Sequence, residues 1–244
     1  MPGRTVACVV PARLDSSRFP GKLLRPLAGI PIVVHTLRRA READCFGRIL
    51  CLTDSPEISA AARAAGFEAV LAGEASNGTE RIARSLEVIG SGLIVDLQGD
   101  EPVFPPEVLR VLADALRARP DWVHVPVHAG EPSPAVVANP NRVKAGIDAE
   151  GFITDFYRVR PARPVAVSRL QMGAYGYSRD FLAEYAALPP SPRELAESHE
   201  LLRELALRPI RAHASHRPCQ AVDMPQDMEA ALALLPEVAG TPHK

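Results

Sequence analysis

Three cations and two hydroxyls crowd one short stretch of the chain. Arg13, Ser16, Ser17, Arg18 and Lys22 all lie within Pro11-Ala12-Arg13-Leu14-Asp15-Ser16-Ser17-Arg18-Phe19-Pro20-Gly21-Lys22. Such groups on one loop can surround a polyphosphate, because each contact is charge-assisted and the chain can close around the anion. The stretch carries neither the G-x-x-x-x-G-K-[ST] spacing nor a G-x-G-x-x-G before a helix, which argues against ordinary phosphate-loop kinases and dinucleotide binders. The plain alternative is a solvated basic loop. Two acids stand where a counter-ion for a phosphate would be useful. Asp100, in Gln98-Gly99-Asp100-Glu101-Pro102, directly follows an apolar run. A carboxylate there could hold magnesium, which binds through one or two carboxylates plus substrate phosphates, or could serve as a turn aspartate. Asp223 follows Val222 and precedes a helical run, so it reads either as a second metal ligand or as a helix N-cap.

The elements around these residues set where they emerge. Val6-Ala7-Cys8-Val9-Val10 reads as a buried strand delivering the basic loop. A helix is expected over Ile30 to Arg41, with Pro31 near its start. Arg48 to Leu52 reads as a second strand, Thr53-Asp54-Ser55-Pro56 as a cap, and Glu57 to Ala65 as a helix. Phe67 to Leu71 is a third strand, Asn77-Gly78-Thr79-Glu80-Arg81 opens another helix, and Gly92 to Leu97 is a fourth strand. Strands alternating with helices over short links predict a mostly parallel sheet covered on both faces. Ligands of such sheets bind beyond the carboxyl ends of the strands, where the basic loop and the Gln98–Pro102 segment would both lie.

The second half reads differently. Strands are expected over Val123 to Val127, Arg142 to Ile147, Phe152 to Tyr157 (after the turn Asp148-Ala149-Glu150-Gly151) and Ile210 to Ala214. Met172 to Tyr177 reads as a strand with close backbone approach at its glycines. Arg158 to Pro164 is a basic loop over the site or at a subunit contact. A helix is predicted from Glu194 to Leu207, and an alanine-rich one closes the chain. No repeat or long linker is evident, so a single α/β domain with an inserted β-rich lobe is the economical architecture.

Composition bounds the function. The chain has 244 residues, 47% hydrophobic and 23% charged, with a formal net charge of -1. That is ordinary globular composition with no general attraction to nucleic acid or anionic membrane. No apolar run approaches the roughly 20 residues of a membrane helix, and Met1-Pro2-Gly3-Arg4-Thr5 offers no signal peptide. The cysteines Cys8, Cys45, Cys51 and Cys219 form no C-x-x-C pair, so neither zinc knuckle nor disulfide framework is indicated, and Cys8 and Cys51 belong in the core. A cytoplasmic setting fits. His35 reads as a satisfied core or surface histidine, Trp122 as a core residue, and His199 either as structural or as facing an acceptor. His213 and His216 near Cys219 lack a second ligand pair and do not make a zinc site.

The ordered set of Pro11-Ala12-Arg13, Ser16, Arg18, Pro20-Gly21-Lys22, Asn77 to Arg81, Gln98 to Pro102, Asn139-Pro140-Asn141 with Val143-Lys144, Tyr175-Gly176-Tyr177 and Val222-Asp223 resembles the CMP-Kdo synthetases, the 3-deoxy-manno-octulosonate (Kdo) cytidylyltransferases. The resemblance covers nearly the whole chain and is densest before residue 150. It implies a Rossmann-like nucleotidyltransferase fold and a cytoplasmic homodimer of lipopolysaccharide biosynthesis. It also implies magnesium-dependent transfer of CMP from CTP to the anomeric hydroxyl of an acidic sugar, with release of pyrophosphate. By position, Arg13, Ser16, Arg18 and Lys22 would bind the CTP phosphates, with Arg13 and Lys22 stabilising developing charge, and Pro11 and Ala12 would also contact the nucleotide. Asn77, Gly78, Thr79 and Arg81 would hold the cytidine, although serine is usual in place of Asn77. Gln98 would lie between nucleotide and sugar, and Asp100 and Asp223 would hold magnesium. Gln171, Tyr175, Glu200 and Leu201 would face the acceptor. About 1–130 and 215–244 would form the nucleotide-binding core, and about 131–214 the acceptor-binding and dimerisation lobe.

Three departures fall in the acceptor half. Gln171 stands where the family usually has histidine, Leu201 where it has glutamine, and the segment from Arg158 to Gln171 is shorter than usual. A site built for a hydroxyl rejects analogues by leaving partners unpaired, so such changes bear on which acceptor is taken. Arg158, Arg160, Arg163 and Arg169 would suit a carboxylate or phosphonate, or form a solvated loop. Kdo is the expected acceptor. The alternatives are the same chemistry on a nonulosonate or phosphonate, and a nucleotide-binding homologue without transferase activity.

Overall fold

The computed structural model describes residues 5–16, 18–162 and 164–239. Ser17 of the basic loop, Arg163 of the second basic segment and residues 1–4 lie outside the described residues. The first strand, β1 (Val6–Ala12), is buried along its whole length. Its side chains alternate between two cores: Val6, Cys8 and Val10 face one apolar cluster, and Ala7 and Val9 the other. That is the burial expected of a central strand covered on both faces. Each fully buried Val or Leu in such a position contributes about 1.5–3 kcal/mol.

From β1 the chain passes through a single 3-10 turn (Lys22–Leu24) and a two-residue hairpin, β2 (Pro26–Leu27) and β3 (Ile30–Pro31). Helix α1 (Ile32–Glu42) follows. The helix therefore begins two residues later than expected, because Ile30 and Pro31 are used in pairing with Leu27 and Pro26. Next come β4 (Arg48–Thr53), α2 (Pro56–Ala64), β5 (Glu68–Leu71), α3 (Gly78–Arg84), α4 (Leu86–Ile89) and β6 (Leu93–Leu97). Ser55 caps α2 by accepting from Ile58 N–H at 3.1 Å, and Asn77 caps α3 by accepting from Glu80 N–H at 2.8 Å. Both caps stand at the serine or asparagine that sequence chemistry favours.

Helix α5 (Pro106–Ala118) was not anticipated, although it is strongly amphipathic, burying Val108, Leu109, Leu112, Ala113 and Leu116. Beyond it run β7 (Val123–His128), α6 (Pro134–Ala138), β8 (Lys144–Ile147), β9 (Ile153–Tyr157), β10 (Val167–Leu170) and β11 (Ala174–Ser178). The chain ends with α7 (Arg179–Ala187), α8 (Pro192–Glu197), α9 (Leu201–Glu204), β12 (Ile210–Ser215) and α10 (Asp227–Ala239).

The seven-stranded sheet has the order β12-β7-β11-β6-β1-β4-β5. It is parallel except for β11, which runs antiparallel to both β6 and β7. A separate antiparallel sheet, β10-β8-β9, packs beside it. The expected mostly parallel sheet with helices on both faces is present, as is a β-rich addition. The close approach expected near Gly173 is also present, since a Cβ there would lie 2.3 Å from Glu101 Oε1.

Two expectations are corrected. The helix predicted from Glu194 to Leu207 is two short ones, because Ser198 takes the left-handed conformation (φ 48°) and ends α8. Such a turn costs a non-glycine residue energy and redirects the chain. Trp122 does not sit in the core: it is partly exposed, capped by the Arg119 guanidinium 3.6 Å from its ring centre and edge-on to Phe152. A cation on a tryptophan face is itself favourable, so this position needs no apolar pocket. Cys8, Cys51 and His35 match their reading. Cys8 and Cys51 are fully buried. His35 is buried with Nε2 2.8 Å from the Leu27 carbonyl. No helix of the described residues is long and apolar enough to cross a membrane.

Candidate active site

The carboxyl ends of β1, β4 and β6 point to one edge of the sheet, because these strands are parallel and in register. The loop after β1 carries Arg13, Ser16, Arg18 and Lys22, and the loop after β6 carries Gln98 and Asp100. Together with the N-terminus of α3, the α8–α9 turn and Asp223, they enclose a cavity of about 440 Å³. Its walls include Pro11, Ala12, Arg13, Ser16, Arg18, Lys22, Asn77, Gly78, Arg81, Gln98, Asp100, Glu200 and Asp223. Residues spread over more than two hundred positions of sequence thus meet in one space, at the sheet edge where ligands of parallel sheets bind.

At its centre stands Lys22. Its Nζ donates to Asp100 Oδ2 at 2.5 Å and to Asp223 Oδ1 at 3.4 Å. Burial pulls this ammonium down, but the two carboxylates outweigh burial and hold its pKa above the ordinary value. Arg18 reaches the same cluster, donating from Nη2 to Asp223 Oδ1 at 3.2 Å and from Nη1 to Asn141 Oδ1 at 2.7 Å. Asp223 does not act as an N-cap: its own N–H donates to Asp227 Oδ2 at 2.9 Å, as does Met224 N–H at 2.8 Å. The Asp227 carboxylate thus holds the backbone that leads into α10, while the Asp223 carboxylate accepts from Lys22 and Arg18 in the cavity. Two carboxylates converging on one cation provide the hard oxygen donors that magnesium takes, with phosphate oxygens completing its shell. The residues present therefore fit that ion.

On the opposite wall Asn77 Nδ2 donates to the Tyr185 hydroxyl at 3.2 Å, while its Oδ1 caps α3. Arg81 is buried and paired with Asp54 at 2.6 Å, and it also donates to the Gly73 carbonyl. Thr79 is fully buried against the Tyr177 hydroxyl at 3.4 Å and does not line the cavity. Gln98 lines the cavity with its Nε2 turned inward to Asp96, at 3.0 Å from Oδ1 and 2.9 Å from Oδ2.

The acceptor positions separate. Glu200 lines the cavity, and burial raises its pKa. Gln171, Tyr175 and Leu201 do not line it. Gln171 Nε2 donates to the Tyr175 hydroxyl at 2.6 Å, Tyr175 is buried, and Leu201 is fully buried in the apolar core. Of the basic segment, Arg158 is committed to backbone carbonyls, at 2.6 Å from Glu197 O, 2.9 Å from Pro140 O and 3.0 Å from Ser198 O. Arg169 donates to its neighbour's carbonyl at 2.8 Å. His199, left open between two readings, does line the cavity. It is buried, Nε2 has no hydrogen-bond partner, and burial above all pushes its pKa down to about 3, so its ring is neutral.

Several wall residues carried no sequence signal. Asp15, Leu23, Ala75, Ser76, Pro190, Glu194, Leu195 and Ser198 join the cavity. Asp54, in the sequence only part of a helix cap, pairs with Arg81. The capping box at Ser191 and Glu194, a Ser-x-x-Glu pattern, could have flagged a helix start at Pro192.

The family model described as cytidylyltransferase matches residues 7–209. A 3-deoxy-manno-octulosonate cytidylyltransferase of Anaeromyxobacter sp. (strain Fw109-5) is 37% identical over 240 residues, spanning 95% of this chain and 97% of that protein. A second, from Pelodictyon phaeoclathratiforme, is 38% identical over 205 residues, spanning 81% and 83%. Among solved structures, a CMP:2-keto-3-deoxy-manno-octonic acid synthetase complexed with CTP is 31% identical, with a TM-score of 0.85 over 96% of this chain and 99% of that one.

Proposed function

The chain belongs to the cytidylyltransferase family, and we propose that it transfers CMP from CTP to the anomeric hydroxyl of Kdo, with release of pyrophosphate. The observation that carries this reading is the single cavity in which Lys22, Asp100 and Asp223 meet Arg13, Arg18, Asn77, Gln98 and Glu200. Nucleotidyl transfer needs little covalent work from the protein; it needs the reacting groups positioned and the developing charge neutralised.

In this reading Arg13, Ser16, Arg18 and Lys22 bind the triphosphate, with the backbone of Pro11 and Ala12 forming the floor of the loop. Arg13 and Lys22 stabilise the charge that builds on the α-phosphate and on the departing pyrophosphate. Arg13, exposed at the cavity wall, is the group best placed to swing onto an incoming anion. Asn77, Gly78, Thr79 and Arg81 shape the cytidine end, Thr79 from behind the wall. Asp100 and Asp223 would hold Mg²⁺, which when bound would supply further positive charge to the phosphates. Gln98 and Glu200 meet the acceptor, with Gln171 and Tyr175 as a supporting pair and Leu201 as apolar packing behind Glu200. The wider division follows the same logic, with about 1–130 and 215–244 taking the nucleotide and about 131–214 taking the acceptor and forming a homodimer contact.

The test is pyrophosphate release with CTP, Mg²⁺ and Kdo, run beside nonulosonates and phosphonates. Turnover with Kdo is expected. Turnover with another acceptor alone would overturn the sugar half of the proposal, and tight CTP binding without turnover for any acceptor would overturn the enzyme.

A further inference from the structure

Strand β6 reads Leu93-Ile94-Val95-Asp96-Leu97, and every one of these residues is buried. Asp96 is fully buried in the middle of the sheet, opposite Val9 on one side and Tyr175 on the other. Burial above all, and then the Glu200 charge, push its carboxyl well above the usual range. A carboxyl group taken out of water is costly unless its oxygens find partners. Among the described residues, one side chain donates to it. Gln98 Nε2 lies 3.0 Å from Oδ1 and 2.9 Å from Oδ2. Residues two apart on an extended chain share a face, so Asp96 aims at the Gln98 side chain as the chain leaves β6.

The Gln98 amide is confined from the other direction as well. A Cβ on Gly78 would lie 3.1 Å from Gln98 Nε2 and 3.4 Å from Oε1, so the bare glycine is what lets the amide lie flat against the start of α3. An amide held this way presents only one of its two ends. With Nε2 spent on Asp96, Oε1 is the polar atom that Gln98 offers to the cavity, and an amide oxygen accepts from O–H or N–H donors.

We propose that Asp96 is a positioning residue that locks the Gln98 amide in one orientation, so that the cavity presents a hydrogen-bond acceptor to a hydroxyl of the acceptor sugar. This rests on the proposed transferase reading for its substrate, while the locked amide is a property of the chain alone. The sugar is the partner in this reading because Gln98 and Glu200 line the same cavity and the proposed transferase reading gives both to the acceptor. Without the lock the amide turns freely and offers its donor end as often as its acceptor end.

Two variants and two readouts test this. Asp96→Leu keeps the branched shape, at some added bulk, and removes the lock; Asp96→Asn keeps one oxygen for Gln98. In steady-state assays with CTP and Kdo, Asp96→Leu is expected to raise KM for Kdo about tenfold, the value of one well-placed hydrogen bond lost from a buried site. KM for CTP should stay within about twofold and the melting temperature should not fall, while Asp96→Asn should recover most of the Kdo affinity. An unchanged KM for Kdo, a rise confined to CTP, or a joint loss of kcat, both KM values and melting temperature would overturn the proposal. The second readout needs no substrate. The Gln98 side-chain amide signal, identified in a ¹H–¹⁵N spectrum by its loss in Gln98→Glu, should be protected from solvent exchange in the wild type and exposed in Asp96→Leu. If that signal is equally exchangeable in both, the lock does not exist, whatever the enzyme turns over. If the amide is locked but the wild type ignores Kdo, the transferase reading fails and the sugar assignment with it.

Discussion

Lys22→Met should move two quantities in opposite directions. Lys22 now occupies the point on which Asp100 and Asp223 converge, 2.5 Å and 3.4 Å away, with its side chain 12% exposed and theirs 23% and 20%. Methionine keeps the length and removes the charge. Two unit charges about 4 Å apart interact by about 4 kcal/mol at an effective dielectric of about 20 and about 1 kcal/mol in bulk water. With one-fifth of each carboxylate exposed, solvent screening pulls the figure toward the lower end, about 1–2 kcal/mol. Removing a resident cation that competes for these carboxylates should therefore tighten Mg²⁺ binding to the nucleotide-free protein about 5–30-fold. The same change removes a charge aimed at the reacting phosphates. Losing one such electrostatic contact costs about 2.7–4 kcal/mol in the transition state, so kcat should fall about 10²–10³-fold. Calorimetric titration with Mg²⁺ in the absence of nucleotide reads the first, and steady-state pyrophosphate release reads the second, with circular dichroism melting confirming a folded variant. Weaker Mg²⁺ binding in Lys22→Met, or a kcat within tenfold of wild type, would refute the reasoning.

Asp100→Asn and Asp223→Asn should each lower kcat at least 10²-fold and raise the Mg²⁺ concentration needed for half-maximal rate, measured by metal titration of activity. Arg203 and Glu194 form a buried pair at 2.5 Å, each side chain 6% exposed. Arg203→Met should destabilise the protein by about 3–5 kcal/mol in urea unfolding, because it leaves an uncompensated buried carboxylate beside the cavity. Glu101 is buried between Gly173 N–H at 2.9 Å and Cys219 Sγ at 3.0 Å, and burial first, then Asp100, raises its pKa from 4.5 to about 7. Between those values the folded state binds the proton that the unfolded state has released, so this residue makes stability fall as pH rises from about 4.5 through 7, by about 3 kcal/mol in all. The difference in unfolding free energy between wild type and Glu101→Gln should show that slope; a flat difference from pH 5 to 8 would refute it.

The chain up to about residue 102 was legible because its signals are local, whereas α5 just beyond it was missed. An apolar run of five residues, a Pro-x-cap pattern and a cluster of cations each declare themselves within a dozen positions, and β1, α2 and the Arg13–Lys22 loop appear where they were expected. Asp100 and Asp223 were ambiguous taken alone, since a turn and a cap explain them equally well. In the fold the two carboxylates share a long-range partner, the ammonium of Lys22, which no local pattern announces. The stretch from about 131 to 214 was harder for the same reason. The Glu194–Leu207 stretch has helical composition throughout, but it breaks at Ser198, beside which His199 packs against Phe156 with ring centres 5.1 Å apart. Trp122 misled because size suggests burial, whereas the stacked Arg119 satisfies its face at the surface. Leu201 lay in a helix where family position suggested a polar contact, and its side chain obeys hydrophobicity instead.

The most direct measurement of the central claim follows the phosphorus. Kdo labelled with ¹³C at the anomeric carbon is incubated with CTP, Mg²⁺ and the protein, and the product is observed by ³¹P and ¹³C NMR. The account predicts one phosphorus signal coupled to the labelled carbon, appearing in step with one equivalent of pyrophosphate and lost in Lys22→Met. Pyrophosphate formed without that coupling, or CTP left intact with Kdo present, would contradict it.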